Sequence, residues 1–434
     1  MSIYAGLSAV LDPLYVSFFN LELKQNVFTD CAVDVAVDGG NAYGGGVSVY
    51  FGAFSSVFNR SGSAVAAAGD TNVHNAGITL DTATFTSCSA LRRTWDDWAD
   101  DIRGASVFGG SFSFYIGAFA WSQSIASNRN FISRSTCGVT NVSSVHVRIF
   151  GATIVGSLAR SAIVQGFLSG ANVYGGAMSA LHVGSFAFSY SEYERSSSSS
   201  TSGASITSGL SVQVRDFSCR DCTAVSVSTF GGNVYGGSLS ALYIGAYAWS
   251  LALAEAGTTT SKCGVTIANE VSVSISKSTC TSCSVLSTTF QSRSNGANSY
   301  GGCISALHVG AYAWSLGVSD SSISSSECDA TIARAMSVNI DTFSCSNCSA
   351  MSKTGGELAS DTSNGANVYG GSVSAAYFGA YAYSFAQKDS SSIVKETLVS
   401  NLVVAISNSA FKQSIASSGE CPLTVSCAIL ALGG

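Results

Sequence analysis

The chain has 434 residues, with 45 glycines, 2 prolines, 14 cysteines and 11% charged residues, and its formal net charge is −6. The charge is diffuse and no basic cluster occurs, which argues against a nucleic-acid partner. No apolar run approaches the roughly 18–20 residues that a helix needs to span a bilayer, so no membrane span is expected; Cys421–Leu432 comes nearest and is short and interrupted by polar residues.

The start does not read as a signal peptide, because it lacks a basic head and Asp12-Pro13 breaks the apolar run. Tyr4–Ala9 reads instead as the middle of a repeat. The expectation is one continuous array over 1–434, a segment of a longer protein. The repeated stretch is clearest at Gly296–Leu316 and recurs at Gly170–Ser189, Gly231–Ser250 and Gly365–Ser384, with looser copies at Gly40–Ser56 and Gly104–Ser122. Its Gly-Gly pairs begin at Gly44, Gly109, Gly175, Gly236, Gly301 and Gly370, spaced 65, 66, 61, 65 and 69 residues apart. A fixed period decides the fold before any local signal does.

Each unit has four parts. A run such as Val212–Phe217, Val271–Ile275 or Met336–Phe343 alternates β-branched and polar residues and predicts a half-buried strand. A cysteine corner follows, as at Phe28–Cys31, Phe85–Cys88, Phe217–Cys222, Thr279–Cys283 and Phe343–Cys348. A variable loop comes next, such as Leu91–Arg103 or Met351–Asn364. The Gly-Gly stretch then leads into a Ser/Thr-rich segment, such as Ser191–Thr207 or Ser319–Glu327, whose composition predicts a flexible loop. Leu251–Ala256 and Trp95–Ile102 have room for a helical turn or two, and no stretch supports a long helix.

If each unit is one coil of a solenoid, equivalent residues form columns about 4.8 Å apart. One coil with two long loops is favoured over two coils, because each unit holds one cysteine corner and one Gly-Gly stretch. One column reads Asn41, Ser106, Asn172, Asn233, Asn298, Asn367, an asparagine ladder in which side-chain amides satisfy one another's carbonyls. An aromatic ladder reads Tyr43, Phe108, Tyr174, Tyr235, Tyr300, Tyr369. Two further ring columns run Tyr50, Tyr115, His182, Tyr243, His308, Tyr377 and Phe54, Phe119, Phe186, Tyr247, Tyr312, Tyr381.

Gly-Gly-Ala-Met-Ser-Ala (175–180) and Gly-Gly-Cys-Ile-Ser-Ala (301–306), alternating with Phe-x-Cys-x-Asn-Cys-Ser-Ala (343–350), resemble the repeats of polymorphic outer-membrane-protein passengers. The resemblance implies a right-handed parallel β-helix of the pectin-lyase-like kind, all-β, with about six 65-residue repeats, acting as a surface adhesin or surface-displayed protein. In this chain Cys largely replaces the family's corner Asn, the unit is longer, and no terminal membrane barrel is visible.

The cysteines carry the most tempting chemistry. Cys31, Cys88, Cys219, Cys222, Cys280, Cys283, Cys345 and Cys348 lie at corners, and Cys137, Cys263 and Cys328 end the Ser-rich segment. Disulfides, reduced packing thiols and metal are the three readings. Disulfides are favoured, since stacked cysteines would fall in the Cα range of a bridge and the cysteine count suits an oxidising compartment, extracellular or at the cell surface. No metal or other cofactor is expected. Cys303 stands alone in its column. His182 and His308 share a column with tyrosines, which points to packing, while His74 and His146 have no evident partner. Trp95, Asp96, Asp97, Trp98, Asp100 and Asp101 form a unique loop that could hold a sugar or Ca²⁺, or simply be a solvated acidic loop. Asn59, Asn141 and Asn347 are glycosylation candidates, weak ones in a Ser-rich chain.

The expected function is a non-enzymatic rod with a structural or adhesive role, its variable loops recognising other surface or matrix proteins or glycans. The alternatives are a carbohydrate-binding or polysaccharide-degrading protein on the same fold, and a filament or sheath subunit that self-assembles end to end through open strand edges.

Overall fold

The computed structural model describes residues 2–9, 14–35, 42–61, 64–94, 106–126, 132–163, 172–193, 197–228, 233–255, 257–289, 298–320, 323–354, 368–369, 371–387 and 390–418. Among them every element is a strand and every strand pairing is parallel. The partner of each strand is its own counterpart one repeat away. Gly52 pairs with Gly117, Gly117 with Gly184, Gly184 with Gly245, Gly245 with Gly310 and Gly310 with Gly379. One repeat is therefore one coil of a β-solenoid-type stack.

The coil around residues 239–300 shows the plan. A long strand, Leu239–Ala254, folds back into a short arm strand, Thr259–Cys263. The back strand, Thr266–Thr281, runs on through the first corner cysteine. Ser284–Thr289 follows, and the two-residue strand Ser299–Tyr300 returns the chain to the next Gly-Gly turn. Among the described residues the long strands make a seven-stranded sheet, and the back and arm strands join in a sixteen-stranded one.

Three αL columns bend the coil. Phe18, Asn75, Ser144, Gly209, Glu270, Ala335 and Asn401 bend the back strand, and each has positive φ. Gln25, Thr82, Gly151, Asp216, Lys277, Thr342 and Asn408 form the second column; Asp30, Ser87, Gly156, Asp221, Ser282, Asn347 and Gln413 form the third, each just before the second corner position. Gly, Asn and Asp enter this region at least cost. Phe18 and Ala335 have no such excuse; the paired strands on both sides of Ala335, and the one paired strand beside Phe18, over-determine their backbone.

Three compartments fill the coil. The main core lies between the long and back strands, around Phe51, Phe85, Phe112, Phe114, Ile116, Ile149 and Phe343, all essentially inaccessible. A small Ala/Val compartment, including Ala90, Val107, Ala159, Val173 and Val234, lies beside the two-residue strands.

The third compartment corrects the sequence reading. The Ser-rich segments form strands: Ser197–Ser202 alternates half-buried and buried residues, and Thr259–Cys263 buries every second residue, with Thr260 exposed and Lys262 half-buried between them. They pack face to face on the ends of the long strands. Ser200 Oγ donates to Ser189 O at 2.7 Å, Ser135 Oγ to Ser122 O at 2.8 Å and Ser261 Oγ to Ser250 O at 2.9 Å. Ser191 and Ser198 hydroxyls meet at 2.7 Å. Ser189 Oγ reaches across coils to Ser135 O at 3.0 Å. This arm is closed by hydroxyls, with alanines between them, and needs no large apolar residue. Leu251–Ala254, where a helical turn had room, ends the long strand instead and sends Ala252 and Ala254 into the arm.

Candidate functional site

On the long strand, residues two apart share a face. Gly245 sits between Tyr243 and Tyr247, whose rings meet edge-on at 4.8 Å over the glycine. A Cβ on Gly245 would lie 2.1 Å from Gly310 O, and its φ is +133°. Only glycine fits this column, and the rings cover the backbone it leaves bare. Tyr43, Phe108, Tyr174, Tyr235 and Tyr300 stack in sequence at centroid distances of 4.9, 5.0, 4.9 and 4.7 Å. The side chain of Tyr369 lies outside the described set. Tyr247 is buried, and its hydroxyl donates to His308 O at 2.7 Å.

A fourth ring column escaped sequence reading: Trp121, Phe188, Trp249, Trp314 and Tyr383. It is partly exposed, with Trp121 at 45% and Trp314 at 37%. Trp121 stacks on Phe188 at 4.2 Å and Trp249 on Trp314 at 5.1 Å. Phe188 meets Trp249 edge-on at 5.6 Å and Trp314 meets Tyr383 edge-on at 5.4 Å, so stacked and edge-on contacts alternate along the column. The signal was available, since these rings follow the Phe54 column two residues on.

The asparagine column bonds differently from expectation. Asn233 N–H donates to Asn172 Oδ1 at 3.0 Å, and Asn298 N–H to Asn233 Oδ1 at 2.8 Å. The side-chain oxygen accepts from the next backbone, whereas side-chain amide to carbonyl donation was expected. Ser106 holds the position before Asn172, and Asn41 and Asn367 lie outside the described residues.

The cysteines fall into three groups. In the corner row, Cys219 is bridged to Cys222, Cys345 to Cys348 and Cys280 to Cys303. Two of these bridges close a single corner and the third joins a corner to the Gly-Gly turn that opens the next coil, so none links stacked corners of adjacent units, the pairing the sequence reading considered; the partner of Cys280 is the cysteine that seemed alone. Cys283 remains a buried free thiol among them. Cys31 and Cys88 are free thiols at the first two corners. Cys137, Cys263 and Cys328 are buried free thiols in the arm, where they face Ala120, Ala187, Ala248 and Ala313. The Cys137 and Cys263 thiols donate to Phe188 O and Trp314 O. Burial pushes the Cys137 thiol up to about 12, so it is an inert packing group.

The remaining sequence candidates do not converge. Trp95, Asp96, Asp97, Trp98, Asp100 and Asp101 lie outside the described residues. Asn59 is half-buried and its Nδ2 donates to Val65 O at 2.9 Å. Asn141 is half-buried within a strand, and Asn347 is exposed at a corner. His182 is half-buried and His308 buried among rings, whereas His74 is exposed and contacts Ser143 Oγ. A shallow recess of about 280 Å³ lies over the back-strand bend, lined by Asn20, Asn75, Thr79, His146 and Arg148 among others. His146 and Arg148 are exposed there and carry no resolved partner geometry that would mark a catalytic pair.

Among the described residues no helix is long and apolar enough to cross a membrane. No family model matches the chain, and neither a curated protein nor a solved structure matches it.

Proposed function

We propose that this chain is a non-enzymatic structural or adhesive rod, displayed outside the cell, whose variable loops make the contacts. The observation that supports it is the continuity of the axial ladders: hydrogen bonds, rings, glycines and serines repeat coil after coil, with one register shift in the long-strand sheet, at Phe114/Tyr115. Such a stack is stiff along its axis, because bending it strains every ladder at once. The loops of variable length leave the same two sites of each coil, between the Ser284–Thr289 type of strand and the Gly-Gly turn, and at the tip of the arm. The family resemblance in the repeats, with the right-handed pectin-lyase-like coil it implies, belongs to this proposal.

The test has two parts. Protease treatment of intact source cells should remove the chain while leaving cytosolic markers whole. Beads coated with the purified chain should bind matrix proteins or a glycan panel, and should lose that binding when loops 290–297 and 355–367 are both replaced by the short loop 229–232. Protection from the protease, or binding unaltered by the loop exchange, would overturn the reading.

A further inference from the structure

Seven buried sulfurs form one row through three successive coils. Those of Cys219, Cys222 and Cys283 lie within 4.8 Å of one another, as do those of Cys280, Cys283 and Cys303, and those of Cys303, Cys345 and Cys348. Cys283 belongs to the first two triads and Cys303 to the last two. Bridges alone do not explain this arrangement, because three bridges use six cysteines and leave Cys283 over.

Packing does not demand sulfur at these places either. In register with Cys219, Cys280 and Cys345 stand Phe85 and Ile154 on one side and Phe411 on the other. The column of Cys222, Cys283 and Cys348 holds Ser157 in the preceding coil and the free thiols Cys88 and Cys31 in the two before it, as the backbone bonds from Thr223 N–H to Ser157 O, Leu158 N–H to Cys88 O and Ser89 N–H to Cys31 O show. The column of Cys303 holds Ser238 and Ser372, linked to it by backbone bonds of 3.0 and 2.9 Å. Ser238 is fully buried, and its Oγ has no hydrogen-bond partner among the described residues. A buried hydroxyl stacked directly on Cys303 is the donor that a nearby thiolate would satisfy.

We propose that, once its bridges are reduced, this row binds soft d¹⁰ cations, Cu⁺ or Zn²⁺, on shared thiolates centred on Cys280, Cys283 and Cys303. Thiolate-only sites select these ions. A Zn–S bond of about 2.3 Å sets neighbouring sulfurs at roughly 3.8 Å, within reach of triads already gathered inside 4.8 Å. The overlap of triads is the pattern of bridging thiolates, in which one sulfur serves two metals. Loading begins with reduction by a dithiol or phosphine: each bridge takes two electrons and two protons and becomes two thiols, while the reductant becomes a cyclic disulfide or a phosphine oxide. Each cation then displaces thiol protons to solvent.

The test uses the full chain, reduced with a phosphine without oxygen and titrated separately with Cu⁺ and Zn²⁺, then desalted and assayed for retained metal. Three Cu⁺ per chain are expected, one for each triad, with thiolate-to-metal absorption; tighter retention of Zn²⁺ would name the divalent ion as occupant of the same site. Cys283→Ser is the decisive variant. It leaves all three bridges possible and places serine where Ser157 already stands in the column, so the fold is kept, yet it breaks two triads and should cut Cu⁺ retention about threefold. Cys137→Ser, in the arm, should change nothing. No retained metal, equal retention in Cys283→Ser, or bridges that stay closed while the protein remains folded would each overturn the proposal.

Discussion

His182 lies flat on Tyr243, with ring centroids 4.9 Å apart and planes within 3°, in a column where tyrosine takes every other described place but that of His308. Burial alone lowers the His182 pKa to about 3 and that of His308 to about 4. The unfolded chain binds these protons near pH 6.5, so it holds more protons than the folded chain between that value and the folded pKa. The stability is thus complete above pH 6.5 and falls as pH drops toward 3–4, by about 2 kcal/mol per histidine at pH 5. Urea midpoints measured from pH 7.5 to 4.5 should fall on acidification, and the double variant His182→Tyr/His308→Tyr should flatten the profile. An unchanged acid slope in that variant would assign the loss to other groups.

Gly245→Ala should be among the most damaging single substitutions in the chain. The new Cβ would meet Gly310 O at 2.1 Å, a backbone atom that cannot turn aside, at a φ of +133°. Strain and overpacking together put the cost at about 3–5 kcal/mol. Gly151→Ala is the matched control, since its Cβ would come no closer than 3.7 Å to any neighbour; it should cost only about 1 kcal/mol. Thermal and denaturant unfolding of the pair would check the contrast.

The arm should open without the core. Ser200→Ala removes a hydroxyl that donates to Ser189 O at 2.7 Å and contacts Ser189 Oγ at 2.8 Å, at a cost of about 1 kcal/mol. Ser200→Leu inserts bulk where hydroxyls alone set the gap and should cost about 1–3 kcal/mol. Hydrogen exchange should quicken in Ser197–Ser202 and Thr259–Cys263 and stay slow in Ser205–Arg215. Uniform loss of protection would mean that arm and core open together.

Non-reducing peptide mapping should find Cys280 joined to Cys303 and no link between Cys283 and Cys348. The Cys280–Cys303 bridge spans a sequence separation of 23, and the Cys219–Cys222 bridge only 3. Loop entropy makes the first worth about 3 kcal/mol and the second about 2 kcal/mol. Cys303→Ser should therefore lower the unfolding midpoint more than Cys219→Ser does.

The coil and its register were legible because Gly-Gly pairs and rings recur together at spacings of 61 to 69 residues and are chemically unlike their neighbours. The arm was not, because Ser197–Ser202 carries hydroxyls on both faces, so alternate burial leaves no trace in residue type. Composition then suggested a loop where hydroxyl pairing makes a strand. The cysteine row was half legible: the corner pairs stood out, but Cys303 gained its meaning only when folding brought it back to Cys280 across the coil interior. The bends at Phe18 and Ala335 were hidden, since neither residue favours positive φ and the stack imposes it.

The in-register pairing of Gly184, Gly245 and Gly310 makes the molecule a graduated rule. Each coil hands the next an edge of the same shape, so losing or duplicating one whole repeat by recombination would leave every remaining contact type intact. The rod would then shorten or grow by one mark of about 4.8 Å, and reach would be set in whole increments, independently of what any loop displays.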